Sequence, residues 1–291
     1  MNRLKVNQQL VFLIGVCMLF ANCSSIKNIQ NDFNISISPF GVCYAKVTPA
    51  MVENYKMVII EPDFYTKAEI TALKATGTTI IAYITLGEVD SNRWYFPLLE
   101  ERGFLGVNVN WNSSYLNLED EETRTILLEK ALPEIMIKGV DGIFLDTVDA
   151  VSPYTERNNL APFMLMLIKG IRDQYPNKLI IQNAGLFLLE ESKEWIDATL
   201  IEDIASGYDF SNKEYFIKDL KSFNERVSLV KTASNKYNIP FLIIDFAESK
   251  PAIEEIKSRL DSLHFPYFIS NIQLNQLPIN PKDVTNKILG N

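Results

Sequence analysis

Short apolar runs that each end in a carboxylate constrain this chain more than any other feature. The clearest lies in Gly139-Val140-Asp141-Gly142-Ile143-Phe144-Leu145-Asp146-Thr147-Val148-Asp149. Ile143 to Leu145 reads there as a strand buried on both faces, as strands of parallel α/β sheets are. The pattern recurs in Val58-Ile59-Ile60-Glu61-Pro62-Asp63, in Thr199-Leu200-Ile201-Glu202-Asp203 and in Phe241-Leu242-Ile243-Ile244-Asp245. Parallel α/β folds bind their ligands at the carboxyl ends of the strands. Four strands ending in acids therefore predict one shared, carboxylate-lined pocket.

Strand-like and helix-like runs alternate along the chain. Strands are expected near 40–46, 57–62, 79–86, 142–146, 179–183, 198–202, 241–246 and 266–270, and amphipathic helices over 66–76, 121–138, 156–174, 187–196, 213–238 and 250–263. Thr66 followed by Glu69 is a capping-box signature, and Gly77 marks a helix stop. Eight strands with interleaved helices predict a single (β/α)8 barrel over 39–291, a fold that typically needs ~250 residues. An open doubly wound sheet is the rival, and neither a G-x-G-x-x-G nor a G-x-x-x-x-G-K-[ST] phosphate loop supports it. The longest connection, Glu88 to Asp120, carries Trp94, Tyr95, Phe96, Trp111 and Tyr115. Long loops at that end of a barrel are functional as a rule. Trp94 or Trp111 is expected either to stack on a sugar ring or to pack the loop down.

The N-terminus stands apart. Arg3 and Lys5 precede an apolar run from Leu10 to Ala21, too short for a membrane span of ~20 residues and suited to a signal-peptide core over 1–22. The run ends at Leu19-Phe20-Ala21-Asn22-Cys23, which resembles a bacterial lipoprotein signal with Cys23 as the lipidated first residue. A simple cleaved signal and an N-terminal anchor remain as alternatives. Residues 23–38 read as a polar tether. The lipoprotein reading implies a bacterial cell-envelope protein attached to a membrane through its N-terminal lipid.

The net charge is −8, and removal of 1–22 leaves 26 basic against 36 acidic residues, or −10. Such a balance argues against a nucleic-acid partner, whose phosphates need Lys and Arg, and suits a neutral or cationic one. Of three cysteines, Cys17 lies in the signal, Cys23 is the lipidation candidate and Cys43 reads as a small buried residue, so no disulfide framework or cysteine metal site is available. The single histidine, His264, falls at a helix-to-strand turn on the face of a barrel opposite its active site. A histidine-based triad and a His/Cys zinc site are both excluded. Chemistry must run on carboxylates, tyrosines, lysines or an oxygen-liganded ion, and no organic cofactor or metal is called for.

Hydrolysis of a glycosidic bond needs one carboxylic acid to protonate the leaving oxygen and one carboxylate to attack or to activate water. Asp146 and Glu202, at the ends of the fourth and sixth strands, are the candidate pair, at an expected separation of ~5–10 Å. Burial and the neighbouring charge would keep one of them protonated. The competing reading makes these acids structural, capping helices or pairing with Arg93, Lys46 and Lys67.

Four blocks carry a family resemblance: Tyr44-Ala45-Lys46-Val47, Ala82-Tyr83-Ile84-Thr85-Leu86-Gly87-Glu88 with Arg93, the Gly139–Asp149 stretch, and Asn183-Ala184-Gly185 with Glu202 downstream. Over about 40–280 the chain resembles glycoside hydrolase family 114, the endo-α-1,4-polygalactosaminidase-like barrels. The resemblance implies a (β/α)8 fold, no cofactor, and endo cleavage of α-1,4-linked galactosamine polymers. It implies Asp146 as nucleophile and Glu202 as general acid/base, with Asp63, Tyr83, Glu88, Arg93, Asp149, Asn183 and Asp245 at strand ends lining the sugar site. Arg93 is alternatively a salt-bridge partner of Asp63 or Glu88. A cationic amino-sugar polymer would suit a carboxylate-lined cleft. Two other classes stay in view: a non-catalytic carbohydrate-binding lipoprotein with the same cleft, and a Mg²⁺-dependent lyase using the acids as oxygen ligands. A Schiff-base enzyme would need Lys46, the one lysine near a strand end.

Overall fold

Runs such as Val58-Ile59-Ile60 and Leu242-Ile243-Ile244 have no polar face to offer solvent, so they form strands covered on both sides. In the computed structural model, which describes residues 37–281, eight parallel strands lie in chain order: β1 (Phe40–Cys43), β2 (Met57–Ile60), β3 (Thr79–Thr85), β4 (Gly142–Asp146), β5 (Leu179–Asn183), β6 (Ala198–Glu202), β7 (Phe241–Phe246) and β8 (Tyr267–Ser270). Each pairs with its sequence neighbour. The first and last strands meet where the Phe40 and Phe268 rings pack at 6.2 Å and the Tyr44 amide donates to the Leu274 carbonyl at 2.6 Å. This is the (β/α)8 barrel that the alternation predicts. The signal segment 1–22, Cys23 and nearly all of the tether 23–38 lie outside the described residues. Among the described residues no helix is long and apolar enough to cross a membrane.

Every residue of β1, β2 and β7 is buried. Phe40, Phe144, Phe241 and Phe246 are the largest fully buried side chains, and each contributes on the order of 1.5–3 kcal/mol by leaving water. Helices follow most strands. The capping box forms as expected: the Glu69 amide donates to Thr66 Oγ1 at 3.3 Å and the Thr66 amide to Glu69 Oε2 at 2.7 Å. Glu69 also binds Lys46 Nζ at 2.6 Å on the surface, so Lys46 is engaged outside the pocket. Strand entry on the opposite face is secured by acids. Asp141 Oδ2 accepts from the Ile80 amide and pairs with Lys74, and Asp197 Oδ2 accepts from the Ile180 amide and pairs with Arg172. His264 sits exposed on that same face, between the helix Lys250–Asp261 and β8.

Three segments differ from expectation. The Glu88–Asp120 connection is an antiparallel three-stranded sheet, Glu88–Asp90, Phe104–Asn108 and Ser113–Leu116. The helix expected over 213–238 is Leu220–Tyr237, and a hairpin, Ser206–Asp209 with Glu214–Ile217, precedes it. Glu214-Tyr215-Phe216-Ile217 alternates in exposure with period two, and Asp219 accepts from the Ser222 amide at 2.8 Å to start the helix. The 121–138 helix contains a π-helical stretch, Ile126–Ala131, just ahead of Pro133. A proline there has no amide to donate and crowds the preceding turn, and the wider π turn accommodates it.

Candidate active site

Three successive strands deliver the centre of the site. Asp146 ends β4, Asn183 ends β5 and Glu202 ends β6. One amide nitrogen joins them: Asn183 Nδ2 donates to Asp146 Oδ1 at 2.7 Å and to Glu202 Oε1 at 2.9 Å. Those two oxygens are therefore no farther apart than the two bonds laid end to end, about 5.6 Å, against roughly 5–5.5 Å for retaining and 6.5–9.5 Å for inverting glycosidases. Asp146 and Glu202 stand two strands apart on one side of the mouth, rather than facing each other across it. Tyr83 adds a hydroxyl hydrogen bond to Asp146, and its ring packs on Tyr44 at 4.9 Å and on Phe144 at 6.4 Å. Burial, then the Asp146 charge, holds the Tyr44 and Tyr83 hydroxyls far above their usual range, so both stay protonated donors.

Burial pushes the Glu202 carboxyl up to about 8, and the Asp146 charge adds to the shift while the Asn183 hydrogen bond partly offsets it. Glu202 thus carries a proton at neutral pH beside Asp146. Asp149 rises to about 6, from desolvation in the mouth first and from Asp146 second. Its carboxylate receives no side-chain hydrogen bond among the described residues. Thr147, between these acids, takes the left-handed conformation (φ 56°), and its Oγ1 lies 2.6 Å from Thr85 Oγ1 and accepts from the Gly87 amide at 2.8 Å. Gly87 has no room for a Cβ, which would collide with the Thr147 carbonyl oxygen and Ala150. The Leu86-Gly87-Glu88 and Asp146-Thr147 motifs therefore fit as one unit.

Across the pocket the acids are compensated. Arg93 makes two bonds to Glu61, at 2.6 and 2.5 Å, and one to Asp63 at 2.9 Å, so its partners are Glu61 and Asp63, not Glu88. Glu88 is buried and accepts from Asn108 Nδ2 at 3.1 Å and from Ser113 Oγ. Asp245 is a correction: it is wholly buried away from the cavity. Its carboxylate accepts from the Ala205 and Ser206 amides and from Ser206 Oγ, which fastens the loop after Glu202 onto β7.

The cavity measures about 590 Å³, a size usual for small-molecule sites. Asp63, Tyr83, Glu88, Arg93, Asp146, Asp149, Asn183 and Glu202 all border it. Of the two tryptophans, Trp111 lines the cavity, whereas Trp94 packs edge-on against Tyr95 at 5.4 Å. Glu61, one of the strand-end acids, also borders the cavity, as do three residues that strand-end acidity does not point to: Tyr44, Asn108 and Ser113. The last two carry no local signal, because strand pairing within the insertion brings them to the site. Seven carboxyl groups face the cavity with Arg93 as its cation, so the side around Asp146 and Asp149, away from Arg93, is negative. Among the described residues no cluster of three His, Cys, Asp or Glu side chains is placed to hold a metal ion.

A buried acid protonated at neutral pH, a second carboxylate within hydrogen-bonding range of the same amide, and an open cleft are the equipment for glycosidic-bond chemistry. Among solved structures, the glycoside hydrolase domain of PelA from Pseudomonas aeruginosa superposes with a TM-score of 0.74 at 24% identity, covering 83% of this chain and 98% of that one. Ega3 of Aspergillus fumigatus, solved in complex with galactosamine, superposes at 0.61 with 15% identity, covering 81% and 91%. At such identities both likenesses bear on the fold. The uncharacterized protein MJ1477 of Methanocaldococcus jannaschii is 25% identical over 309 aligned positions, 91% of this chain and 87% of that protein. The sequence profile of Glycoside-hydrolase family GH114 matches residues 20–277, and the chain belongs to that family.

Proposed function

We propose that this glycoside hydrolase is an endo-acting, retaining enzyme that cuts α-1,4-linked galactosamine-type polysaccharide with Asp146 and Glu202. The observation that carries the proposal is the Asn183 amide held between the two carboxyl groups. In the first step the Glu202 carboxylic acid gives its proton to the glycosidic oxygen. Asp146 Oδ attacks the anomeric carbon from the opposite face, the bond to the leaving sugar breaks, and an ester of inverted configuration forms on Asp146. Glu202, now a carboxylate, takes a proton from water, which attacks the same carbon and releases Asp146. Two inversions give net retention. Tyr83 and Asn183 hold Asp146 by hydrogen bonds throughout.

The preference for an amino sugar rests on charge. Asp149 has no side-chain partner among the described residues and stands where Asp146 and Glu88 already concentrate negative potential, a setting that favours an ammonium group. The galactosamine bound to Ega3 is consistent with this reading. Attachment to the bacterial envelope through a lipid on Cys23 belongs to the same proposal and is supported by the sequence pattern at 19–23. A non-catalytic capture protein is the second reading. The proton held on Glu202 beside Asp146 favours the enzyme, because capture alone has no use for a matched pair.

The test compares wild type, Asp146→Asn and Glu202→Gln, all lacking residues 1–23, on a polysaccharide panel that includes galactosamine polymers, with new reducing ends followed by mass spectrometry. Internal cleavage by wild type alone, with both variants folded, supports the assignment. Binding without cleavage by wild type transfers the reading to a capture protein, and equal cleavage by the variants removes both residues from the mechanism.

A further inference from the structure

Trp111 is carried on the turn between Phe104–Asn108 and Ser113–Leu116, in the insertion after β3, and it enters the wall of the catalytic cavity. Its side chain is 50% exposed. An indole left half in water beside carboxylates is not explained by core packing.

Two independent restraints fix it there. From below, the buried Glu88 carboxylate accepts from Asn108 Nδ2 and Ser113 Oγ, the residues at the two ends of the turn. From the side, the Phe210 ring meets the indole in a T-shaped contact, 5.1 Å between centroids and 76° between planes. Phe210 lies in the turn of the hairpin that follows Glu202. Tyr208 continues the series at 5.1 Å from Phe210 and 4.9 Å from Tyr215, whose hydroxyl accepts from the Ile272 amide just past β8. Four rings thus join the loops of β3, β6 and β8 around a mouth whose β4 and β5 ends carry Asp146 and Asn183. A T-shaped contact takes at most one face of an indole and leaves the other open to a ligand.

We propose that Trp111 is a stacking subsite for a pyranose ring of the polymer chain, next to the ring at Asp146 and Glu202, and that Glu88 and Phe210 are its positioning residues. The apolar C–H face of a sugar covers the indole, and an amino group on that sugar adds attraction to the ring's negative face. The inference rests on the glycosidase reading of the cavity and not on the identity of the sugar. It also explains why Glu88 spends its carboxylate within the protein.

The experiment measures kcat/KM against chain length, from two to eight residues, for wild type, Trp111→Ala, Trp111→Phe, Phe210→Ala, Glu88→Gln and Val109→Ala. Three series serve as probes: α-1,4-galactosamine oligomers, their N-acetylated forms and β-1,4-glucosamine oligomers. Wild-type kcat/KM is expected to climb with length. Trp111→Ala should lose roughly three- to tenfold of that climb, mainly in KM, and Trp111→Phe should keep most of it. Phe210→Ala and Glu88→Gln should lose the same length dependence in part, while Val109→Ala, exposed on the same turn, follows wild type. Identical length dependence in Trp111→Ala and wild type overturns the subsite. If wild type cuts only another series, the galactosamine assignment falls and the subsite is judged on the series that is cut. If wild type neither cuts nor binds any series, subsite and substrate class fall together.

Discussion

The two ends of the barrel use the same residue types for opposite purposes. On the lower face, Asp141 and Asp197 each accept a backbone amide from a neighbouring strand and hold a cation, Lys74 or Arg172, at 2.6 Å. On the upper face, Asp146, Asp149 and Glu202 have no cation in contact among the described residues, and two of them are pushed up to about 6 and about 8 by burial and mutual repulsion. One motif, Gly139 to Asp149, contains both kinds, five residues apart. A carboxylate with a cation and an amide secures the fold. Carboxylates packed together without them store unfavourable electrostatic energy, and a protonated acid at neutral pH is the form that energy takes.

The largest effect expected from this contrast is on rate. Asp146→Asn and Glu202→Gln should each lower kcat/KM by about 10³-fold or more without lowering the melting temperature. Asp197→Ala should do the reverse. It removes the carboxylate that pairs with Arg172 and leaves the Ile180 amide without its acceptor, costing about 1–3 kcal/mol, read as a melting temperature lower by roughly 3–10 °C, with kcat/KM within about twofold of wild type. A fall in stability for the upper acids, or in turnover for the lower one, would break the comparison.

Asn183→Ala tests the link between the paired acids. It should cost roughly 10- to 100-fold in kcat, and because the Asn183 bond lowers the Glu202 value, the alkaline limb of the rate profile should move upward. Asp149→Asn should move it downward, since Asp149 contributes to raising Glu202. The same change should raise KM for a cationic oligomer chiefly above pH 6, where Asp149 is ionised.

The smallest effect is on stability against pH. Glu202 titrates near 4.5 when unfolded and about 8 when folded, so its contribution is fully present below pH 4.5 and is lost as pH rises through 8. Thermal melts should show Glu202→Gln more stable than wild type at pH 9, by a few degrees, with the gap closing toward pH 4.

Much of this was legible in the sequence. The barrel strands were, because runs such as Ile143-Phe144-Leu145 can only be buried on both faces, and Asp146 and Glu202 follow from the strand ends. Asp245 ends an equally apolar strand and looks the same in sequence, yet the amides of Ala205 and Ser206 take its carboxylate, and that depends on a loop from another strand. Glu88 was legible as a site residue, but its partners Asn108 and Ser113 reach it only once the insertion has paired. The hairpin at 206–217 was hidden because Tyr215-Phe216-Ile217 runs directly into the helix that begins at Leu220. Local pattern located what a strand places alone, and it missed what two loops place together.

Azide rescue of Asp146→Ala and Glu202→Ala on an α-galactosaminyl fluoride, whose leaving group departs without a proton from Glu202, tests the assignment of the pair most directly, with the anomeric configuration of the products read by NMR. Loss of the nucleophile should let azide attack the anomeric carbon once and give the β-glycosyl azide from Asp146→Ala. Loss of the acid/base should let azide attack the ester on Asp146 and give the α-glycosyl azide from Glu202→Ala. The same configuration from both variants, or exchanged configurations, would contradict the roles assigned to Asp146 and Glu202.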